Sequence, residues 1–245
     1  MTQQSMLIEV WGDIGCPWCY VGRARFEQAL AAFEHRDEVR VVHRSLQLHA
    51  DQPRGEVMPV LEAFTRRYGA TREQAEAGER KMAHLATAEG LPFSTDRLHG
   101  NTLDAHRLLQ LARERGRQGE LMAALYRAHF SAESSVFDPS ALAAIAVECG
   151  LETVEVLQVI DGDAYTDAVR DDERRAADLG IRGVPSYLFD GVYAVHGGQS
   201  VEAYGAALAS AWHQGPRGSA SSGTDPVSAI TCADGRCAVP GATHA

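Results

Sequence analysis

Two thiols separated by two residues, Cys16 and Cys19, are the pair in this 245-residue chain whose type and spacing point most directly to covalent chemistry. They lie in Asp13-Ile14-Gly15-Cys16-Pro17-Trp18-Cys19-Tyr20, after a short apolar run, Leu7-Ile8-Glu9-Val10-Trp11, and before a helix-like run that reaches Phe33. Pro17 suits a first helical position, because the N–H it lacks is one the helix would leave unsatisfied. Cys16 then falls at the N-cap, where free amides and the positive end of the helix dipole stabilise a thiolate. The thiolate is the form that attacks disulfides, and Cys19, one turn on, is placed to attack back and close an internal disulfide. The same spacing also makes half of a zinc site, or two filler residues of a core. In an intracellular chain near a βαβ pattern it reads as a thioredoxin-like redox pair.

The elements that must position this pair follow from periodicity. Residues 6–12 form a buried strand, 17–34 a helix with Phe26, Ala29, Leu30 and Phe33 on one face, and 38–46 a second, alternating strand. Such a βαβ unit has parallel strands and a right-handed crossover. From about 56 to 160 strand signals disappear. Thr71 with Gln74 makes a capping box for a helix running to about Glu89, and Gly90-Leu91-Pro92 breaks it. Further helices are predicted over Asn101–Arg115, Gln118–Phe130 and from Asp138-Pro139 to Gly150. A strongly charged helix follows over Asp163–Asp178. Then Gly180-Ile181-Arg182-Gly183-Val184-Pro185-Ser186 leads into a strand, Asp190-Gly191 turns the chain, and Val192–Val195 returns. A last helix starts at Ser200 with Val201, Tyr204, Leu208 and Trp212 on one stripe.

This order gives an α/β chain in three parts. Residues 1–50 and 161–213 form one domain, 51–160 an all-helical insertion, and 214–245 a flexible Gly/Ser/Pro-rich tail. A net charge of −10 argues against nucleic acid and anionic membranes as partners. No run is long enough to span a bilayer, and the first residues carry no signal-like apolar core, so a cytoplasmic location is expected. There, thiols are normally reduced and a disulfide is catalytic or transient.

The tail carries a second pair, Cys232 and Cys237, flanking the turn dipeptide Asp234-Gly235. A Gly/Ser-rich chain of about 20 residues has an r.m.s. reach of ~25 Å, enough to return the pair to Cys16. Three readings stand: a second redox couple exchanging electrons with the first, a four-cysteine zinc site, or an inert tail.

The segments Asp13–Tyr20, Asn101-Thr102-Leu103-Asp104-Ala105-His106-Arg107-Leu108, Gly180–Pro185, and Gly191–Val195 with Gly197-Gly198-Gln199 together resemble the DsbA-like branch of the thioredoxin superfamily. The resemblance is to its FrnE-type members and the related 2-hydroxychromene-2-carboxylate isomerases, over roughly residues 6–212. It implies a thioredoxin-like fold interrupted by a helical insertion. It makes Cys16 the nucleophilic thiol, Cys19 the resolving thiol and Pro185 a cis-proline beside them. Pro17, Trp18 and Val184 are then the substrate-contacting residues, the Val184 backbone pairing with a peptide in the manner of an added strand. Trp18 brings no charge to a thiolate, so the couple is expected to be less oxidising than DsbA itself.

The implied activity is that of a protein disulfide oxidoreductase acting on protein or small-molecule disulfides and dithiols. It needs no cofactor beyond its own redox-active disulfides, with glutathione the thiol to consider. A glutathione-dependent isomerase or kappa-type transferase is the competing reading, but such relatives carry serine at the position of Cys16 and an acid where this chain has Gln199. A zinc-binding module without turnover is a third. Among other residues, Asp13 either exchanges a proton with Cys19 or caps the helix, and His106 and Arg107 either orient a substrate or make a polar inter-helix contact. Cys149 reads as a small core residue. His43, His49, His84, His99, His129 and His196 form no ligand spacing, and no metal site is assigned.

Overall fold

The computed structural model describes residues 5–214 and the backbone of 228–233 and 236–238. Strand β1 (Met6–Gly12) is the centre of the architecture. Ile8 and Val10 face one apolar cluster and Trp11 the other, so this short run is buried on both faces. Helix α1 (Pro17–Ala31) follows with Cys16 at its N-cap in extended conformation and Pro17 in the first turn. It returns the chain to β2 (Val39–Ser45), which pairs parallel with β1, Val10 opposite His43. The βαβ unit read from periodicity is present.

The insertion then begins with β3 (Val57–Pro59) and α2 (Val60–Tyr68). Helix α3 (Arg72–Ala88) starts on the predicted capping box, Thr71 accepting from the Gln74 amide while the Gln74 side chain accepts from the Thr71 N–H. Strand β4 (Leu98–Gly100) pairs antiparallel with β3, so the insertion is helical apart from one small two-stranded ribbon, and the all-helical expectation is corrected there. Helices α4 (Leu103–Glu114), α5 (Gln118–Ser131) and α6 (Pro139–Glu148) follow. Asp138 caps α6 by accepting from Ala141 N at 2.8 Å. Cys149 is the C-cap residue of α6, half-buried against the main cluster.

Helices α7 (Thr153–Asp161) and α8 (Thr166–Asp178) bring the chain back to β5 (Ser186–Phe189) and β6 (Tyr193–His196). Asp190 and Gly191 both take positive φ, as the turn requires, and Asp190 also receives the Leu7 N–H at 2.7 Å. Helix α9 (Val201–Gln214) opens with the Ser200 hydroxyl accepting from Ala203 N.

The main sheet runs β2-β1-β5-β6-β7-β8, with β7 (Ser228–Ala233) parallel to β6 and β8 (Arg236–Ala238) antiparallel to β7. Helices α1 and α9 cover one face, where Phe26, Tyr204 and Leu208 cluster with Tyr187 of β5. Each such side chain is worth roughly 1.5–3 kcal/mol when fully buried. Helix α8 lies on the other face, where Ala176 meets Trp11 and Leu188. The largest cluster joins the two parts of the chain: Ile14, Cys16, Cys19 and Tyr20 pack directly on α4 and α5. The dithiol therefore sits where the thioredoxin-like unit and the insertion meet.

Candidate active site

The two thiols are free of each other covalently, and both are buried, Cys16 at 4% and Cys19 at 2% exposure. Cys16 stands at the helix start, and the first turn of α1 holds no carboxylate to cancel the dipole field on its sulfur. Its Sγ faces the Val184 carbonyl at 3.9 Å, and Val184–Pro185 is a cis peptide bond, as the resemblance implied. Cys19 lies beneath. Burial pushes its thiol well up, and its hydrogen bond to Cys16 holds the proton there further. The arrangement places one sulfur at the helix start and beneath it a second that stays protonated while donating to it.

Beside Cys19 is a narrow space lined by His43, Tyr126, Pro185 and Tyr187 among others. Burial, with Arg23 adding to it, pulls His43 down to about 3, so the imidazole is neutral. A Cβ on Gly12 would sit 3.4 Å from the Tyr126 hydroxyl and 3.7 Å from Cys19 Sγ, so this strand end approaches both.

Asp13 is fully buried, and its carboxylate is committed. Oδ2 accepts from Leu48 N at 2.7 Å, and Oδ1 accepts from Gly15 N at 3.3 Å and lies 3.3 Å from His106 Nε2. Burial opposes its ionisation, but His106, the Leu48 amide and Thr102 outweigh burial and hold it at about 2. A carboxylate so stabilised is a poor proton acceptor, and it does not cap α1 either, since the backbone amides it receives are those of Gly15 and Leu48, both outside the helix. Asp13 instead ties the dithiol loop to the segment after β2 and to α4. His106 is thus a positioning contact. Arg107, wholly buried, donates to the carbonyls of Ala164, Gly162 and Val159 and to Asp104, closing the α7–α8 connection.

Pro17 and Val184 are half-buried, and Trp18 is 38% exposed at the mouth of the site. The loop after β6 lies against Trp18: a Cβ on Gly198 would come within 3.0 Å of the Trp18 carbonyl, and one on Gly22 within 3.0 Å of Gly198 Cα. Neither glycine has room for a side chain without moving helix from loop. Gln199, where an isomerase-type relative would carry an acid, donates to the His196 carbonyl at 2.6 Å. For the tail, the backbone puts Cys232 and Cys237 opposite each other across β7 and β8, while their side chains and residues 215–227 lie outside the described residues. The four-cysteine zinc reading falls there too. Among the described residues no three His, Cys, Asp or Glu side chains cluster in a metal-binding arrangement.

The sequence reading missed a second feature. His49, His99 and His129 come from the segment after β2, from β4 and from α5, and they line one pocket together with Asp13, Gly15 and Pro17. Their separation of 30 to 80 positions left no spacing to recognise. Burial, with His49 adding to it, pulls His99 down to about 4, and burial, with Arg97 adding to it, pulls His129 to about 3.

The sequence model of the DSBA-like thioredoxin domain matches residues 7–209 of this chain. Among solved structures, a probable DsbA oxidoreductase from Streptomyces coelicolor is 48% identical, covering 96% of this chain and 100% of its own at a TM-score of 0.82. The cytosolic disulfide reductase DsbM from Pseudomonas aeruginosa is similar at 17% identity and TM-score 0.59, covering 85% of this chain and 99% of its own. A 2-hydroxychromene-2-carboxylate isomerase is similar at 11% identity and TM-score 0.58, covering 85% of this chain and 97% of its own. The last two show likeness of fold alone. No curated protein matches the chain. Among the described residues no helix is long and apolar enough to cross a membrane.

Proposed function

Because this chain belongs to the DSBA-like thioredoxin family, we propose that it is a thiol–disulfide oxidoreductase whose Cys16 attacks and whose Cys19 resolves. The observation that carries this reading is the pairing of Cys16 at the helix start, beside the Val184 carbonyl, with a buried Cys19 thiol hydrogen-bonded to it. In the reducing direction the Cys16 thiolate attacks one sulfur of a substrate disulfide, and the other sulfur leaves as a thiolate. Cys19 then attacks Cys16 Sγ, its proton passing to a departing substrate sulfur. The substrate gains two electrons and one proton from the protein, the first thiolate to leave takes its proton from solvent, and the protein is left with a Cys16–Cys19 disulfide. Reversal oxidises a dithiol. Pro17, Trp18 and Val184 border the place where the substrate backbone would lie, and the location proposed is the cytoplasm.

The thiol that restores the dithiol is a separate question. Glutathione accompanies DsbM in one solved structure at 18% identity, and it is the small thiol to test first. The tail offers an internal alternative. Val195 pairs with Ile230 in parallel register, so β7 runs toward the same end of the sheet as Gly197, whose N–H meets the Pro185 carbonyl at 2.8 Å. Directly opposed residues of an antiparallel pair have Cα atoms about 4.5–5.5 Å apart, within the range a disulfide spans. Both features support Cys232–Cys237 as a second couple.

The test is catalysed reduction of insulin by dithiothreitol. Cys16→Ser is expected to abolish the catalysed rate, and Cys19→Ser to accumulate a mixed disulfide with the substrate visible by mass spectrometry. Full activity of Cys16→Ser would overturn the assignment. Unchanged turnover in the Cys232→Ser/Cys237→Ser double variant would remove the tail relay alone.

A further inference from the structure

The chain between α8 and β5 reaches the dithiol, yet its backbone is bonded to little. Among the described residues, Arg182, Gly183 and Val184 make no backbone-to-backbone hydrogen bond; those before them end at Ile181 N, which meets the Ala176 carbonyl at 2.8 Å. The Val184 side chain packs against two apolar clusters. Such contacts are non-directional, so they hold the residue in place without orienting its peptide groups. The Val184 carbonyl nevertheless faces Cys16 Sγ at 3.9 Å.

The orientation comes from side chains. Ser186, 1% exposed, places its hydroxyl 2.7 Å from the Gly183 carbonyl and 2.9 Å from His196 Nδ1. A carbonyl only accepts, so the one hydroxyl proton goes to Gly183 and the oxygen receives the N–H of His196 Nδ1. Nδ1 therefore carries a hydrogen in the neutral ring as in the charged one. Ser186 and His196 are register partners on β5 and β6. The same end of β6 is tied down twice more: Gly197 N–H meets the Pro185 carbonyl at 2.8 Å, and Gln199 Nε2 meets the His196 carbonyl at 2.6 Å. The Gly183-Val184-Pro185-Ser186 turn is thus closed by a side chain, and that side chain is oriented by the neighbouring strand.

We propose that Ser186 and His196 are positioning residues: through the Gly183 carbonyl they hold the Val184 peptide groups in the orientation that an extended polypeptide disulfide needs beside Cys16. His196 acts through Ser186. The inference rests on the oxidoreductase reading and adds a substrate class to it. A polypeptide lying along Val184 as an added strand draws its alignment from main-chain hydrogen bonds, whereas a small aryl disulfide has no main chain to align. Loss of the relay therefore discriminates against the polypeptide.

The experiment uses the full-length reduced protein and measures single-turnover rate constants for insulin and for dithiobis(nitrobenzoate). Ser186→Ala is expected to lower the insulin-to-aryl-disulfide ratio about fivefold, the worth of one net hydrogen bond. His196→Leu is expected to lower it less, about twofold, and the double variant no further than Ser186→Ala, because a residue that acts through another adds nothing once the other is gone. A parent that reduces neither disulfide overturns the oxidoreductase reading and this inference together. A parent that reduces both, with the ratio unchanged in Ser186→Ala or with the two substitutions adding in full, overturns this inference alone. Should Ser186→Ala lose its cooperative urea transition, His196→Asn against His196→Leu decides. The asparagine, which keeps a donor near the Nδ1 position, is expected to hold the parent ratio, and equal ratios in the two overturn the inference.

Discussion

Two buried carboxylates receive the same face of α4, one helical turn apart, and they are satisfied in opposite ways. His106 lies 3.3 Å from Asp13 beside the dithiol, and Gln110 donates to Asp172 of α8 at 2.7 Å. Asp172 also takes a guanidinium from Arg44 and the Ser45 N–H, both at 3.0 Å, and Arg44 and Arg175 in turn bridge to the buried Glu9. Asp13 takes no guanidinium at all. Its donors are two backbone amides, one ring and the Thr102 hydroxyl. The arginines build a lock that joins β1, β2, α4 and α8. Near Cys16 a fixed cation would lower the thiol pKa and, with it, the intrinsic nucleophilicity of the thiolate. Amides and an imidazole fix the loop without that cost.

The sharpest way to break the comparison is at the lock. Asp172→Ala removes the acceptor of Arg44, Ser45 N and Gln110 together and leaves buried donors unpaired. Breaking a buried charged network from one side costs about 3–5 kcal/mol. Urea denaturation should show a loss of that size with an unchanged slope, while insulin reduction under fully native conditions stays within about twofold. A loss below about 1 kcal/mol would mean that the cluster is solvated and not a lock.

Asp13→Asn tests the other end. The amide keeps the volume but offers one acceptor oxygen where the carboxylate serves Leu48 N, Gly15 N and His106, so a loss of about 2 kcal/mol is expected. Here, unlike at Asp172, turnover should fall with stability, because the dithiol loop is what comes loose.

The pH dependence separates the same two ends. Asp13 is held at about 2, below the ordinary 3.8, so its contribution is present above pH 3.8 and is lost as pH falls through about 2. A difference of about 1.8 pK units corresponds to roughly 2 kcal/mol. His43 and His129, each near 3 against 6.5, contribute fully above pH 6.5, and that stability is lost as pH falls toward 3, by up to about 1.4 kcal/mol per pH unit for each ring. The histidine losses are common to wild type and Asp13→Asn and cancel. The difference between their urea stabilities should therefore be flat above pH 5 and begin to close below pH 4. A difference that closed already above pH 5 would overturn the assignment of the loop's stability to the Asp13 carboxylate.

What the sequence disclosed was what local chemistry dictates. Cys16-Pro17 starts a helix, Thr71 with Gln74 caps one, Asp138-Pro139 starts another, and Asp190-Gly191 turns the chain, each within four residues. What it withheld depends on partners far apart in the chain. The β3–β4 ribbon joins three-residue strands about forty positions apart, one containing Pro59, too short to leave a periodic signal. Asp13 was read against its neighbours Cys16 and Cys19, yet its partners are Leu48 and His106. Helix α8 read as merely charged, but one turn of it buries Asp172 at 3% exposure because Arg44 and Gln110 arrive from elsewhere. The cavity histidines carry no signal in one dimension at all.

The smallest expected effect is the most discriminating about how the lock is built. Gln110 donates from Nε2 to both Ser45 Oγ and Asp172, but its own Oε1 is buried without a partner. Gln110→Leu removes one donor from Asp172, which keeps Arg44 and Ser45 N, and it also removes the orphan carbonyl. A net hydrogen bond is worth about 1 kcal/mol and an unmet buried acceptor costs about 1–3 kcal/mol, so the two changes nearly offset. The expected shift is within about 1 kcal/mol of wild type, far below Asp172→Ala, and His106→Leu should exceed it because Asp13 has no guanidinium in reserve. If Gln110→Leu proved as damaging as Asp172→Ala, the lock would depend on α4 and not on the arginines, and the contrast between the two carboxylates would disappear.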